Sequence, residues 1–390
     1  MRKDWEYKKL GEVAISDLGK TLNKSKDTGT LYPYLCAINI LWDKIDLSTL
    51  KETRFEDDEL ERYTVKYGDL LVCEGGDTGR AAIWDKQETM LYQNALHRIR
   101  LNNEINSRFL LYYLWQLKLN GEIDAKYSKG VTIKHLVKSS LMSIPTPLPP
   151  KPTQLAIVAE LDKINELIQL KKQQLKDYDQ LAQSIFYEMF GDPVENEKGW
   201  EVKKLGEICD IRDGTHDSPK YVEHSDYILI TSKNIENNLI SFENVNYITE
   251  EDFLRINKRS KVDDGDIIMP MIGTIGNPII VKLVNNINFA IKNVALIKFY
   301  STSSVINYYL QSLMKSSSFE KDITRFHKGG TQKFIALGTI RNFKIPLPPL
   351  PLQQQFAARI EAIERQKQQV SETIKDLETL LASRMQYWFD

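Results

Sequence analysis

Residues 352–389 read LQQQFAARIEAIERQKQQVSETIKDLETLLASRMQYWF, without a glycine or proline, and follow directly on Ile345-Pro-Leu-Pro-Pro-Leu-Pro351. Proline cannot sit inside a helix but is tolerated just ahead of one, so this run predicts where a helix begins. Within it Phe356, Ile360, Ile363, Lys367, Val370, Ile374, Leu377, Leu381, Arg384 and Trp388 alternate steps of four and three. That is a heptad seam. A second copy stands 199 residues earlier, where PLPPKP (residues 147–152) precedes another stretch without glycine or proline, 153–190. There Ile157, Leu161, Ile164, Ile168, Lys171, Leu175, Tyr178, Ala182, Ile185 and Met189 keep the same register. At 1.5 Å per residue each helix is expected to be about 57 Å long. Gly191-Asp-Pro193 gives the first one a C-cap glycine and a stop. Lys367 takes the place of Ile168, and Lys171 that of Val370. A lysine in a seam either fixes register and partner choice or snorkels past the apolar stripe. The simplest way to bury two such stripes is against each other. The expectation is an antiparallel coiled coil with pseudo-twofold symmetry and one globule at each end.

The repeat extends over the rest of the chain. Trp5-Glu-Tyr-Lys-Lys-Leu-Gly-Glu-Val13 returns as Trp200-Glu-Val-Lys-Lys-Leu-Gly-Glu-Ile208, and Gly68-Asp-Leu-Leu-Val72 as Gly265-Asp-Ile-Ile-Met269. Tyr112-Tyr-Leu114 answers Tyr308-Tyr-Leu310, Gly76 and Gly79 answer Gly273 and Gly276, and Gln154 answers Gln353. The offset drifts only from 195 to 199, as a duplication with small loop indels requires. The fold class is therefore α+β, with two mixed globules at residues 1–148 and 199–347 and two helical segments at 149–193 and 348–390. Residues 65–72 and 261–269 read as buried strands running into glycine-rich loops, and 109–119 and 305–314 as helices with aromatic faces.

At 390 residues the chain is too long for one compact domain, and 42% hydrophobic with 27% charged residues is ordinary for a protein with real cores. No apolar run reaches eighteen residues and no apolar stretch backs the charged N-terminus, so neither a membrane span nor a secretory signal is expected. Cys36, Cys73 and Cys209 are few and scattered, which points to a reducing cytoplasm without disulfides or a cysteine metal site. Fifty-two basic against fifty-three acidic residues exclude a uniformly basic coat but not a local basic face. Catalytic signatures are missing. Gly19-Lys-Thr21 lacks the earlier glycine of a phosphate-binding loop, no G-x-G-x-x-G opens a helix, and no Asn- or Asp-Pro-Pro-aromatic tetrapeptide occurs. His97, His135, His216, His224 and His327 form no metal-binding spacing; His216 and His224 read as exposed loop residues or as partners of a carboxylate. Gly75-Gly-Asp-Thr-Gly79 and Gly273-Thr-Ile-Gly276 read as tight turns, with a phosphate nest as the alternative. No activity, metal or cofactor of its own is expected.

Basic loops recur at matching places in the two halves. Lys20, Thr21 and Lys24 follow the first opening repeat, and Thr215 and Lys220 follow the second. Lys129, Thr132 and Lys134 precede the first proline run, and Lys328, Thr331, Gln332 and Lys333 precede the second. Lysines beside glycines and threonines bring charge, hydroxyl and backbone N–H together on phosphates, and Gln332 can pair with adenine.

The order of these motifs, present twice, resembles the DNA-specificity subunit of type I restriction-modification systems. The Trp-x-x-x-x-Leu-Gly-Glu openings, the Gly-Asp strands, Gly330-Thr-Gln-Lys333 and the proline run before a heptad helix carry the resemblance. The first half departs from it where Gly330-Thr-Gln becomes Gly130-Val-Thr and Leu350 becomes Lys151. The resemblance implies two target-recognition domains that read a bipartite double-stranded DNA target across a non-specific spacer. It implies helices that dock two methyltransferase subunits carrying S-adenosylmethionine, and helicase-nuclease subunits that bring ATP and Mg. The chain itself would be a non-catalytic reader and scaffold. A stand-alone DNA-binding regulator, or a nuclease or methyltransferase with unfamiliar motifs, is the competing reading.

Overall fold

The computed structural model describes residues 4–23, 27–130, 132, 134–236, 239–272, 275–283, 287–325 and 334–390. The chain folds into two compact units: Met1–Lys172 with Ser371–Asp390, and Gln173–Val370. Each unit thus owns one globule, the first part of the helix that follows it, and the last part of the helix that follows the other globule.

Both globules use the same sheets. In unit 1 an antiparallel sheet runs Ala14–Leu18, Leu96–Leu101, Leu70–Cys73, Ala81–Ile83; in unit 2 it runs Cys209–Asp213, Val294–Phe299, Ile267–Pro270, Ile279–Ile280. A second, mixed sheet contains one parallel pair in each unit, Thr30–Leu35 with Met90–Tyr92 and Tyr227–Ile230 with Asn288–Ile291. The Gly-Asp repeat is a turn rather than the middle of a strand, which corrects the expectation of continuous strands over 65–72 and 261–269. Gly68 and Gly265 take positive φ, where a side chain is disfavoured. Asp69 and Asp266 accept the N–H of Lys66 and Asp263 across the turn. The same carboxylates bind Arg100 and Lys298 on the neighbouring strand.

The opening motif closes each globule. Glu6–Lys9 pairs antiparallel with Pro145–Leu148, and Glu201–Lys204 with Lys344–Leu347. Leu10 and Leu205 are fully buried, while Glu12 and Glu207 accept the N–H of Lys9 and Lys204 and so cap their own turns. The paired strand leads straight into the long helix, Lys151–Phe190 in the first repeat and Leu350–Phe389 in the second. The repeated glutamine then locks it in place. Gln154 Nε2 donates to Glu104 O and Pro149 O, and its Oε1 accepts from Asn106 N. Gln353 does the same with Ser304 O, Pro348 O and Ile306 N. Both side chains are buried with each of these bonds made, so losing one strands several polar groups.

These bonds also fix which globule helices correspond. Ser107–Leu119 and Asn307–Met314 each begin one residue after the glutamine-bound N-cap, Asn106 or Ile306, so they align at an offset of 200. Phe109, not Tyr113, is therefore the counterpart of Tyr309. Phe109 packs on Phe389 at 5.3 Å and Tyr309 on Phe190 at 4.7 Å. The Tyr-Tyr-Leu triplets lie one turn apart on the aligned helices, yet Tyr113 and Tyr309 both donate their hydroxyls to a proline carbonyl of the strand ahead of the long helix, Pro145 and Pro346.

Within each unit the two helix segments pack antiparallel. In unit 1 Glu160 meets Arg384 and Trp388, and Lys172 meets Glu378, which lies earlier in the second helix. In unit 2 Asp179 meets Lys367, and Phe186 and Phe190 meet Phe356. Ile157, Leu161, Ile164, Ile168, Phe356, Ile360, Ile363, Val370, Ile374 and Leu381 are buried; Leu175 and Leu377 are half-buried. The seam drifts at its ends. A heptad stripe slips about 20° per repeat on a helix of 3.6 residues per turn. Phe186, Phe190, Met385 and Phe389 are the buried residues of the last turns, whereas Ile185, Met189, Arg384 and Trp388 are half-buried. Lys367 stays in the seam by pairing with Asp179 and Glu364. Burial pulls its ammonium down, but these two carboxylates outweigh burial and leave it raised.

Candidate nucleic-acid interface

In unit 1 four segments are hydrogen-bonded into one surface. Gly19 N donates to Leu96 O, Lys20 N to Tyr92 O, and Asn94 N to Lys20 O. Glu74 N donates to Ala95 O, and Leu136 N to Glu74 O, which adds the glycine loop and the basic loop. His97, fully buried below, bonds the Leu136 carbonyl through Nε2 at 2.7 Å. Burial holds its imidazole below the ordinary range, against the pull of that carbonyl. Unit 2 repeats the assembly. Gly214 N donates to Val294 O, Thr215 N to Ile291 O, Asn293 N to Thr215 O, Met271 N to Asn293 O, and Ile335 N to Met271 O. The backbones approach so closely that only glycine fits at the start. A Cβ on Gly19 would lie 2.3 Å from the Gln93 carbonyl carbon, and one on Gly214 2.3 Å from the Ile291 carbonyl oxygen.

Lys129, Thr132 and Lys134 are exposed on a loop whose ends are tied by reciprocal bonds between Lys129 and His135, both 2.8 Å. Lys134 Nζ donates to Asp124 O. The Asp124 carboxylate accepts from Thr78 and Lys118, which outweigh its partial burial and hold it below the usual carboxylate range. Arg80 N donates to Asp77 O, which makes this part of the glycine loop a tight turn, and Gly79 N donates to Cys73 O to close the loop. Thr21 is exposed, its Oγ1 accepting from Asn94 Nδ2 at 3.0 Å.

Two expected phosphate contacts turn inward. Lys20 is buried, its ammonium bonded to Glu59 and to Arg54 O and lying over the Phe55 ring. Thr215 is buried, and its hydroxyl accepts the Asp217 N–H to close its own turn. The surface counterpart of Thr21 is His216, which bonds Asn293 as Thr21 bonds Asn94. His216 Nδ1 faces Asn293 Oδ1 at 3.0 Å and Nε2 faces Asp213 Oδ2 at 2.7 Å. Two acceptors favour protonation of both nitrogens, so the bond to Asn293 and then Asp213 raise the imidazole above its ordinary value. Lys220 is exposed. Lys24, Lys328, Thr331, Gln332 and Lys333 lie outside the described residues.

Three basic residues escaped the sequence reading. Exposed Arg259 bonds Asp213 and Gly214 O at the root of the loop, and exposed Arg255, one turn away, bonds Asp252. Lys292 Nζ donates to Ser218 Oγ. The asparagine that returns 199 residues on, Asn94 and Asn293, was the signal available for its neighbour Lys292. No group of acids, histidines and cysteines among the described residues is placed to hold a metal, and no helix among them is long and apolar enough to cross a membrane.

The family model described as "Type I restriction modification DNA specificity domain" matches residues 2–177 and again 197–379. The chain is 25% identical over 409 residues to the type I restriction enzyme MjaVIII specificity subunit of Methanocaldococcus jannaschii, covering 97% of this chain and 92% of that one. It is 23% identical over 345 residues to the EcoBI specificity subunit of Escherichia coli, covering 78% and 68%. Among solved structures, the S subunit of a type I system from M. genitalium matches with a TM-score of 0.51 at 15% identity, over 99% of this chain and 96% of that one. A chain from a structure of type I R-M complex assembly and conformational transition matches with a TM-score of 0.54 at 20% identity, over 100% and 98%.

Proposed function

Because the chain belongs to the type I restriction-modification DNA-specificity family, we propose that it is the non-catalytic reader of a split double-stranded DNA target, one half-site per unit. The observation that carries this reading is the duplicated loop assembly. Main-chain bonds of the same pattern join the same segments in both units, while the side chains they display differ. A shared backbone gives both units the same approach to a duplex, and different side chains give each its own bases. Thr21, Lys129, Thr132 and Lys134 serve unit 1. His216, Lys220, Arg259 and Lys292 serve unit 2, together with Lys328, Thr331, Gln332 and Lys333 of the basic loop. The long helices dock two methyltransferase subunits, which bring S-adenosylmethionine; helicase-nuclease subunits with ATP and Mg join them for cleavage.

Methylome sequencing of a host that expresses this chain with its methyltransferase tests the reading. The expected result is methylated adenine in a motif of two short blocks separated by a fixed, unread spacer. Replacing residues 199–347 by the matching domain of a relative should then change one block alone. A continuous motif, or a change in both blocks, would sink the reading. Tight specific binding by the chain without any partner, and no effect on methylation, would favour the stand-alone regulator.

A further inference from the structure

One more segment joins the loop assembly in both units. Gln93 N donates to Leu35 O and Lys292 N to Ile230 O, each at 2.9 Å. Leu35 pairs parallel with Tyr92 and Ile230 with Ile291, while Lys20 and Thr215 bridge in parallel to Gln93 and Lys292 on the opposite side. Three extended segments therefore run side by side in one direction. In unit 1 they end at Thr21, Asn94 and the turn that follows Leu35; in unit 2 they end at His216, Asn293 and the turn that follows Ile230. Neighbouring strands lie about 4.8 Å apart, so each turn stands about 10 Å from Thr21 or His216, within the ~12 Å width of a major groove. The two turns, Ala37–Asn39 and Ser232–Asn234, are built alike. Asn39 and Asn234 are buried, and their Oδ1 atoms accept the N–H of Cys36 at 2.9 Å and of Thr231 at 3.0 Å. Their carbonyls accept from Asp46 N and Ser241 N. In unit 1 Arg80 Nη2 also donates to Ala37 O at 2.9 Å, which ties the turn to the glycine loop.

One side chain in each turn stays outside. In unit 1 it is Ile38, 55% exposed; in unit 2 it is Lys233, exposed at the same place 195 residues on, the offset that also relates Thr21 to His216. The buried asparagine and the main chain hold the turn, so the residue between them is free to differ without altering the fold. We propose that this residue reads a base in each half-site: Ile38 packs on a thymine methyl group for unit 1, and Lys233 donates to O6 and N7 of a guanine for unit 2. The assignment rests on the DNA-reading function proposed above and names two specificity residues for it. A lone exposed isoleucine is ordinary, and the argument comes from its place. It stands in line with the loops that carry the candidate phosphate contacts, yet it has nothing to offer a phosphate. Its natural partner in a major groove is the thymine methyl group. A lysine at the matching position has the same approach, and guanine presents two acceptors there. One rigid turn thus serves both units, and a single exchanged side chain changes the base it favours.

The experiment measures binding of the full chain, with its methyltransferase subunits, to duplexes that carry the two-block motif found by methylome sequencing. Single atoms of the bases are then removed one position at a time. Uracil lacks the methyl group of thymine, and 7-deazaguanine lacks the N7 acceptor of guanine. In the block read by unit 1, one thymine-to-uracil exchange should weaken wild-type binding about fourfold, the worth of one buried methyl group. The same exchange should have no effect on the Ile38→Ala variant. In the block read by unit 2, one 7-deazaguanine should weaken wild-type binding about tenfold and leave the Lys233→Met variant indifferent. Both side chains are exposed, so the variants should melt as the wild type does. If every base-analogue effect persists in the variants, the assignment falls while the two-block reading stands. If Lys233→Met weakens binding to all sequences alike and lowers the log-salt slope by about one, Lys233 touches a phosphate and its assignment is overturned. If the wild-type protein yields no two-block motif, the assignment falls together with the reading beneath it.

Discussion

The two units share a backbone and differ in where they put their charges. After the crowded glycine, unit 1 has Lys20 and turns it into Glu59 on the short acidic helix Asp57–Arg62. Unit 2 has Thr215 there, and its longer helix Glu250–Ser260 ends in Lys258 and Arg259, with Arg259 exposed beside the loop. The first arrangement uses a lysine to hold the loop; the second holds the loop with a hydroxyl and leaves an arginine outside. Main-chain bonds are indifferent to side-chain identity, so they survive the divergence of the repeats, and surface charge does not. A basic residue at matching positions is therefore weaker evidence of a shared contact than a matching main-chain bond.

The largest effects should come from the points the units share. Gly19→Ala or Gly214→Ala forces a Cβ into backbone and should cost about 3 kcal/mol or more, each variant losing recognition of one half-site only. Denaturant melts and a selection of binding sites from random DNA would read this; loss of both half-sites from one substitution would break the picture of independent loop assemblies. Next come Gln154→Ala and Gln353→Ala, each of which strands a backbone N–H and two carbonyls. About 2–4 kcal/mol is expected in each, and nearly the same in both, because the three bonds match partner for partner. A large inequality would mean that the clamps are not equivalent. Smaller again is the contrast in charge. Lys20→Met should destabilise unit 1 by about 2 kcal/mol by leaving Glu59 without its cation, with no change in the salt dependence of DNA binding. Arg259→Gln should leave the melt nearly untouched and lower the log-salt slope by about one. The reverse pattern would exchange their roles.

The sequence made the repeat, the long helices and the clamp glutamines legible, because each rests on local spacing or on a residue that returns at a fixed offset. Three things were hidden for identifiable reasons. The inward turn of Lys20 depends on Glu59, a partner 39 residues away that no spacing rule connects. The one-turn shift between the Tyr-Tyr-Leu triplets and the aligned helices depends on the loop before the second helix, 300–306, which is longer than its counterpart, 102–106. The burial of Phe186 and Phe190 in place of Ile185 and Met189 comes from the mismatch between a seven-residue repeat and 3.6 residues per turn. His216 was within reach. It lies 195 residues after Thr21, the offset of the opening repeat, but the matching residue type, threonine, stands one position earlier at Thr215.

The smallest expected effect separates the units by pH. The bonds to Asn293 and Asp213 raise His216 above 6.5, so the stability they contribute is complete below the unfolded value and fades as pH rises through the folded one. With the side chain 57% exposed, solvent screens most of that contribution, and the melt should barely move. DNA binding is the more sensitive readout, because an imidazolium on the loop adds one positive charge next to phosphate and the neutral ring removes it. The half-site read by unit 2 should weaken a few-fold as pH rises through the His216 value, measured with half-site mismatches that isolate each unit. Thr21 holds the equivalent place in unit 1 and does not titrate, so the slope that depends on His216 should be confined to the half-site read by unit 2. His216→Asn should abolish the slope in unit 2 while keeping a hydrogen-bonding side chain beside Asn293. If the slope survives that substitution, another group titrates at the interface and His216 is only a strut for the loop. If neither wild-type half-site responds to pH while His216 titrates normally by NMR, the His216 face of unit 2 does not meet DNA.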